Sequence, residues 1–249
     1  TKGLANRHGE YLQAIPTLKH FCANNTENER GTASSDVDMR TLNEYYYAAF
    51  ERPITCGGAY SVMVAYNELS GVPAVINPDI QKVLKDRWGL GFVVTDGGDF
   101  SQNVTFHKYS ESHAETLALA IKNGTDVMSD CEDVVEAAVF EALNSGLVSE
   151  KDIDKALYNS LLARFRLGEF DEKHPFSDVC EMMIDNEEHK CLNRRAALEQ
   201  MVLLRNSDIL PIYDECSVAV VGMNGNCNLM DWYTGYSSYN CLLYTSPSP

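Results

Sequence analysis

The carboxylate with the clearest chemical setting in this sequence is Asp96. It follows the apolar run Phe92–Thr95 directly and precedes two glycines, Gly97 and Gly98. A short apolar run bounded by glycines is typical of a fully buried strand. In parallel α/β barrels, polar residues at the C-terminal ends of strands carry the chemistry. The sequence therefore predicts a functional carboxylate at Asp96, with an Asp that caps the following loop as the alternative.

The segment before this strand is predicted to be a helix. Asn77 is a residue type that caps helices, Pro78 suits the first helical position, and Gly89 can end the helix. A helix, a short turn and a buried strand together form one unit of an α/β fold. We therefore expect a helix to pack against the strand that carries Asp96.

Three further short apolar runs have the composition of strands: Pro16–Phe21, Val62–Tyr66 and Asp126–Met128. Lys19 and His20 lie near the end of the first run, and Tyr66 ends the second. Arg30 follows the first run in a polar stretch. Because polar residues at the carboxyl ends of parallel strands share one edge of the sheet, the side chains at the strand ends are expected to converge with Asp96.

The short motifs of this chain occur in a specific order. They are Lys19-His20-Phe21, Arg30, Val62-Met63-x-x-Tyr66-Asn67, Gly71-x-Pro73, Leu84-Lys85-x-x-Trp88-Gly89-x-Gly91, Val93-Val94-Thr95-Asp96, Gly124-Thr125-Asp126-Val127-Met128, Leu167-Gly168-x-Phe170-Asp171, and Val202-Leu203-Leu204-Arg205-Asn206 with Leu210-Pro211. Each motif is common by itself. In this order they resemble glycoside hydrolase family 3 over roughly residues 15–240.

The resemblance implies a retaining exo-glycosidase that acts on β-glucosides or β-xylosides. It implies that Asp96 is the nucleophile, which forms a covalent glycosyl-enzyme intermediate while a second carboxyl about 5 Å away acts as acid and base. It assigns sugar binding, and positive potential around the nucleophile, to Lys19, His20 and Arg30. It places Tyr66 beside Asp96 as a fourth substrate-binding residue. The alternative for Lys19 and His20 is an ordinary strand end. For Arg30 it is a solvated loop charge, and for Tyr66 it is a core aromatic residue with a satisfied hydroxyl.

Two departures from the family pattern bear on the substrate. Many relatives carry an aromatic residue directly after the nucleophile, where this chain has Gly97 and Gly98. The stretch Lys19–Asn25 also does not resemble the N-acetylhexosaminidase branch of the family. The sugar and the linkage therefore stay open.

The predicted fold class is α/β: the C-terminal half of a (β/α)8 TIM-like barrel, followed by the start of an α/β sandwich domain. The predicted parts are a partial barrel over residues 1–176, an interdomain connection over 177–205, and the start of the sandwich domain over 206–249. The run Ser217–Gly222 is predicted to be a buried strand of that second domain, and the tail from about residue 242 is interpreted as non-native.

The expected extent is that of a fragment. A complete barrel needs about 250 residues, whereas the barrel-like part of this chain ends near Asp171 and the chain begins at Thr1 without Met. The acid/base glutamate of the family usually lies beyond this region, and no residue here matches it. The alternative function is therefore a catalytically incomplete fragment with at most sugar binding.

Two other functions are alternatives to glycoside hydrolysis. Asp96 and Asp99 could bind a metal ion, but a D-x-x-D spacing is common and has no His or Cys partner nearby in the sequence. The stretch Val218–Gly225 could bind a nucleotide, but its glycines lack the G-x-G-x-x-G spacing of that site. Because both alternatives are weakly supported, the sequence predicts neither a metal nor a cofactor for this chain.

The composition is that of a globular protein that binds neither nucleic acid nor membranes. The net charge of −16 disfavours nucleic acid, and no apolar run approaches the ~20 residues of a membrane span. Eight cysteines without C-x-x-C pairs favour free thiols and a cytoplasmic location. The predicted partner is an oligosaccharide or glycoside substrate, and the oligomeric state stays open.

The helices predicted after Asp96 fit the barrel interpretation. Ser112 with Glu115 forms a capping box, and Ser149 with Asp152 forms another. In the second helix, apolar residues at helical spacing are predicted to face the core: Ile153, Leu157, Leu161 and Phe165. His107 and His113, in the loop after the Asp96 strand, are predicted to have capping or surface roles, with an approach to the site as the alternative.

Overall fold

The computed structural model of this chain describes residues 1–223. Its internal contacts divide the chain into two units, Thr1–Cys180 and Glu181–Pro249. The residues with predicted chemistry all lie in the first unit. The predicted domain limits at residues 176 and 205 stay predictions.

The described part of the chain alternates short strands with helices. Its strands are Arg7–His8 (β1), Tyr11–Leu12 (β2), Thr17–Phe21 (β3), Ser34–Ser35 (β4), Ser61–Val64 (β5), Glu68–Leu69 (β6), Val72–Pro73 (β7) and Phe92–Val94 (β8). Its α-helices are Met39–Thr41 (α1), Ala48–Thr55 (α2), Asp99–Thr105 (α3), His113–Lys122 (α4), Glu132–Asn144 (α5), Glu150–Leu167 (α6) and Glu187–Glu199 (α7). Wider π-helical segments are Leu42–Tyr46 and Ile80–Arg87, and 3₁₀ turns are Ala74–Ile76 and Glu181–Met183.

A parallel sheet with the order β3-β5-β8 forms the centre of the first unit. An isolated parallel bridge between Val94 and Val127 extends this pattern beyond β8. The side chains of Val62, Val64 and Val93 are fully buried, and their register places them on one face of the sheet. On the opposite face Ser61 is buried, whereas Met63, Phe92 and Val94 are partly exposed, so the strand before Asp96 is fully buried on one face only. The predicted mixed α/β architecture is confirmed, and each of the four predicted runs contributes to this pairing.

The helix predicted before β8 is present as the π-helical segment Ile80–Arg87. The side-chain oxygen of Asn77 accepts the N–H of Asp79 at 2.9 Å, so Asn77 caps this segment as predicted. Gly89 has φ +73°, a left-handed conformation that suits glycine at a helix end. Ile80 and Leu84 are fully buried and attach the helix to the sheet.

The predicted starts of the later helices are confirmed. The Ser112 hydroxyl accepts the N–H of Glu115 at 3.2 Å at the start of α4, but the Glu115 carboxylate accepts the N–H of Glu111, so only half of the predicted capping box forms there. Ser149 and Asp152 form a reciprocal capping box at the start of α6. None of the helices in the described residues is long and apolar enough to span a membrane.

The predicted core face of α6 is wrong in part. Leu157 is 50% exposed and Phe165 is 56% exposed, although both belong to the predicted apolar stripe. The buried positions of α6 are instead the alanines Ala156 and Ala163. These two lie seven residues apart, so they share one helix face, and their small side chains allow a close approach to the neighbouring elements.

The predicted buried strand Ser217–Gly222 is also wrong. This run has no regular secondary structure, and its valines are exposed, with Val218 at 71% and Val221 at 89%. β-branched residues favour strands only where a neighbouring strand can pair and pack with them, and no strand of residues 1–223 pairs with this run. The end of the stretch Val218–Gly225, which is disfavoured as a nucleotide site, and the tail from about residue 242 lie outside the described residues.

Candidate active site

The carboxyl ends of β3, β5 and β8 bring three of the predicted site residues together. His20 belongs to β3, and Tyr66 and Asp96 each lie two residues beyond the end of their strand. His20 Nε2 lies 3.1 Å from Asp96 Oδ2. The Tyr66 hydroxyl donates to the carbonyl oxygen of Gly97 at 2.6 Å. The predicted convergence at this edge of the sheet is therefore present for His20, Tyr66 and Asp96.

Asp96 is held by its own loop but keeps access to solvent. Its Oδ1 accepts the N–H of Gly97 at 2.7 Å, and its side chain is 21% exposed. Gly98 has φ +78°, which favours glycine, and its N–H donates to the Ser129 carbonyl at 2.9 Å. This leaves Oδ2 of Asp96 directed toward His20, on an accessible carboxylate.

The contact between His20 and Asp96 is close but is not a hydrogen bond. The two atoms lie within ion-pair distance, but Nε2 of His20 has no partner in hydrogen-bond geometry. Burial lowers the pKa of His20, and the charge of Asp96 opposes this shift only in part. The positive charges of Lys19 and Arg30 lower the pKa of His20 further. A neutral imidazole beside an anionic Asp96 is the state that this balance favours.

Tyr66 lies between the candidate nucleophile and Arg30. Burial, followed by the charges of Asp96 and Asp99, raises the pKa of Tyr66 to about 12. The phenol therefore stays a hydrogen-bond donor at neutral pH. The Arg30 guanidinium lies 4.5 Å from the centre of the Tyr66 ring, a cation–π contact. Arg30 also forms an ion pair with Glu27. Its link to the site is therefore the cation–π contact with Tyr66.

Lys19 lies at the edge of an adjoining cavity. This cavity has a volume of about 520 Å³ and is lined by Lys19, His20, Asn24 and the ring of Tyr45, among others. Asp96, Tyr66 and Arg30 do not line it. The structure therefore brings His20 into contact with Asp96, places the Tyr66 hydroxyl on the neighbouring Gly97 and joins Arg30 to Tyr66, whereas Lys19 lines the adjoining cavity with His20. The peptide bond between Lys19 and His20 is cis.

Asn67 holds the ends of two strands together beneath Tyr66. Its buried amide donates to the Cys22 carbonyl at 3.3 Å and to the Ser35 hydroxyl at 3.1 Å. Cys22 directly follows β3, and Asn67 follows Tyr66 beyond β5. The motif Tyr66-Asn67 thus supplies one side chain to the site and one to its support.

A second carboxyl lies close to Asp96 but has a different environment. Asp99 is only 1% exposed, and one of its carboxyl oxygens has no hydrogen-bond partner. Burial, followed by the charges of Asp96 and Asp130, raises the pKa of Asp99 well above its usual range. Sequence reasoning considered Asp99 only as a metal ligand. In residues 1–223, no group of three or more His, Cys, Asp or Glu side chains is arranged to hold a metal ion.

An ion pair below the site was not predicted. Lys85 Nζ donates to both oxygens of Asp126, at 2.7 and 2.6 Å, and both side chains are nearly inaccessible. Asp126 also accepts the N–H of Val93 in β8 and the amide of Asn159 in α6. One carboxylate therefore joins a helix, the Asp96 strand and α6. Lys85 and Asp126 both belong to motifs that were recognised in the sequence. Nothing in the sequence indicated that their side chains form an ion pair, because that depends on the fold.

His107 was predicted to have a capping or surface role, and this is wrong. Its side chain is completely buried, and both of its ring nitrogens contact oxygen atoms beside Tyr66. The local sequence, a polar loop after a helix, gave no sign of that burial.

These elements agree with the relatives found in comparisons with known proteins. No family model matches the chain. It is 31% identical over 225 residues to a probable exo-1,4-β-xylosidase, bxlB, of Aspergillus clavatus, which covers 86% of this chain and 29% of that protein. It is 36% identical over 214 residues to a β-glucosidase of Rhizobium radiobacter, over 84% of this chain and 24% of that protein.

Solved structures give the same result for the fold. The chain matches the structure of a GH3 exo-β-xylosidase, XlnD, in complex with a xylobiose aziridine activity-based probe, with a TM-score of 0.77. The match is 26% identical in sequence and covers 86% of this chain and 28% of the xylosidase. The resemblance to glycoside hydrolase family 3 is confirmed. The chain spans less than a third of the length of these three relatives.

Proposed function

We propose that this chain carries the nucleophile of a retaining exo-glycosidase that hydrolyses terminal β-linked glucose or xylose. The observation that carries the proposal is the partly exposed Asp96, 3.1 Å from His20 and at the carboxyl edge of a parallel sheet. Relatives of this chain are named β-xylosidases and β-glucosidases. The proposal covers the activity and the substrate of the whole protein.

In the proposed first step, a carboxylate oxygen of Asp96 attacks the anomeric carbon of the sugar. A bond forms between that oxygen and the carbon, and the bond from the carbon to the leaving oxygen breaks. Hydrolysis of the resulting glycosyl ester by water returns the free carboxylate. His20 contributes a donor for sugar hydroxyls, and the Tyr66 hydroxyl, whose own hydrogen goes to the Gly97 carbonyl, can accept from a sugar hydroxyl.

Asp96 fits the role of nucleophile better than Asp99 does. A nucleophile has to be ionised and within reach of the sugar. Asp96 is 21% exposed, whereas Asp99 is 1% exposed and its raised pKa favours the neutral acid. No residue of this chain is assigned the role of acid/base.

The proposed architecture is the C-terminal half of a (β/α)8 barrel followed by the start of an α/β sandwich domain. The parallel order β3-β5-β8, the further bridge at Val127 and the helices between the strands support the barrel part. The sandwich domain and the cytoplasmic location stay predictions.

The test uses aryl glycosides whose leaving group needs no protonation. In the longest natural reading frame that contains this sequence, dinitrophenyl β-xyloside and β-glucoside would be turned over by the wild type but not by Asp96→Gly. Added azide should restore turnover in this variant and give the α-glycosyl azide, because azide attacks from the face that the carboxylate has left.

Asp154→Asn serves as the matched control, since Asp154 is an exposed carboxylate on α6. This control should keep wild-type rates. Wild-type rates in Asp96→Gly would contradict the proposal. A folded wild-type protein that turns over neither glycoside would favour the alternative of a fragment that at most binds sugar.

A further inference from the structure

His107 makes two side-chain contacts inside the protein. Its Nε2 lies 2.8 Å from the carbonyl oxygen of Tyr66, and its Nδ1 lies 3.1 Å from a carboxyl oxygen of Glu68. The side chain is completely buried, and the Glu68 side chain is 18% exposed. No other partner is needed to satisfy the ring.

The chemistry of these partners determines the hydrogens on the ring. A backbone carbonyl oxygen only accepts, so Nε2 of His107 carries a hydrogen. An ionised carboxylate also only accepts, so Nδ1 carries a second hydrogen unless Glu68 holds that proton itself. In either state two hydrogen bonds fix the imidazole, and a buried pair of this kind holds its geometry firmly.

These contacts connect the loop after α3 to the segment between β5 and β6. The N–H of His107 donates to the Gln102 carbonyl in α3 at 2.9 Å, and α3 begins three residues after Asp96. Two groups of Tyr66 therefore contact the stretch of chain that runs from Asp96 through α3 to His107. Its carbonyl is held by His107, and its hydroxyl donates to Gly97, next to Asp96.

We propose that His107 is a positioning residue, which fixes the main chain of Tyr66 so that the phenol is held against the loop of Asp96. The role rests on the proposed function, because it concerns the placement of the Tyr66 hydroxyl beside the nucleophile. The imidazole itself is buried and does not touch the sugar. The bond that matters is the one from Nε2 to the Tyr66 carbonyl, since the bond to Glu68 only orients the ring.

Two amide substitutions separate these two bonds. In His107→Gln the side-chain amide can reach the position of Nε2 and donate to the Tyr66 carbonyl. In His107→Asn the shorter amide can reach only the position of Nδ1 and the bond to Glu68. A displacement of about 1 Å near the reacting groups can cost about 10²-fold in rate, so His107→Asn should lower kcat by up to that factor with little change in KM. His107→Gln should stay close to wild type.

A second readout does not depend on activity. In the wild type the Tyr66 pKa is raised to about 12, so at about pH 11 this ring stays mostly protonated while ordinary tyrosines ionise. Ring-labelled tyrosine NMR of the chain, with Tyr66→Phe for assignment, should show that Tyr66 ionises earlier in His107→Asn but not in His107→Gln.

The outcomes decide between the proposals. A folded His107→Asn with wild-type kcat and an unchanged Tyr66 titration would overturn the positioning role. If His107→Asn does not fold, then a folded His107→Gln with strongly reduced kcat or an earlier Tyr66 titration would overturn it. If the wild type turns over no glycoside, the proposed function fails, and the Tyr66 titration alone still decides whether His107 positions this ring.

Discussion

The buried ion pair between Lys85 and Asp126 is expected to dominate the stability of the sheet that carries Asp96. Replacing Lys85 by methionine keeps most of the aliphatic stem but removes the ammonium group. Asp126 would then be a carboxylate with 3% of its side chain exposed, and its remaining donors would be the N–H of Val93 and the amide of Asn159.

The magnitude follows from this geometry. Removing one partner of a buried ion pair costs about 3–5 kcal/mol. Two hydrogen bonds from neutral donors remain on the Asp126 carboxylate. Because each bond to a charged group contributes about 1.5–3 kcal/mol, the lower end of that range applies. A loss of about 3 kcal/mol is large beside a total unfolding free energy of about 5–15 kcal/mol. Burial already lowers the pKa of Lys85 despite the charge of Asp126, so the pair is strongly desolvated.

The assay is urea unfolding followed by circular dichroism. With a denaturant slope of about 1–3 kcal/mol per molar urea, Lys85→Met should move the midpoint down by about 1–3 M. Lys155→Met is the matched control, because Lys155 is exposed and makes one 3.5 Å contact to Gln81. The control should stay within about 0.5 kcal/mol of the wild type.

The double variant Lys85→Met/Asp126→Asn tests the cause. If the uncompensated charge is responsible, neutralising Asp126 should recover part of the stability that Lys85→Met loses. A loss below about 1 kcal/mol in Lys85→Met, which is within the range of exposed ion pairs, would refute this reasoning. A double variant less stable than the single variant would refute it as well.

Two further predictions concern ionisable groups beside Asp96. Because the pKa of Asp99 is raised in the folded state, its contribution to stability is fully present in acid below about pH 4 and is lost as the pH rises through the folded pKa. Asp99→Asn should therefore gain stability over the wild type from about pH 4 toward neutral, by about 1.4 kcal/mol for each unit of pKa elevation. An equal pH dependence of urea unfolding in both proteins would contradict this. Tyr66 also has a raised pKa, about 12, so its contribution is present below about pH 10 and is lost as the pH rises through 12. Tyr66→Phe should lose about 1 kcal/mol near neutral pH with the hydrogen bond to Gly97, and the difference from wild type should shrink in strong alkali, as measured by denaturation at several pH values.

The sequence was sufficient for the elements whose signals are local. The valine run before Asp96 forms the predicted strand with Val93 fully buried, and Asn77 and Ser149 accept capping hydrogen bonds from residues two or three positions ahead. The placement of His20 and Tyr66 beside Asp96 followed from the rule that parallel strands present their carboxyl ends at one edge.

Features that depend on distant partners could not be read in this way. The buried His107 contacts Glu68, which lies 39 positions earlier in the chain. Lys85 pairs with Asp126, which lies 41 positions later. The apolar stripe of α6 had the right period, but the face that packs inward carries alanines. Period alone does not identify which face a neighbouring element covers.

The most direct test of the central claim is covalent trapping of the nucleophile. The longest natural reading frame that contains this sequence would be treated with a fluorinated glycoside inactivator, digested, and mapped by mass spectrometry. The account predicts that the sugar is found on the peptide that spans Gly91–Asp99, attached to Asp96, and that Asp96→Asn takes up no label. Label on Asp99 or on a carboxylate outside this peptide, with Asp96 unmodified, would contradict it.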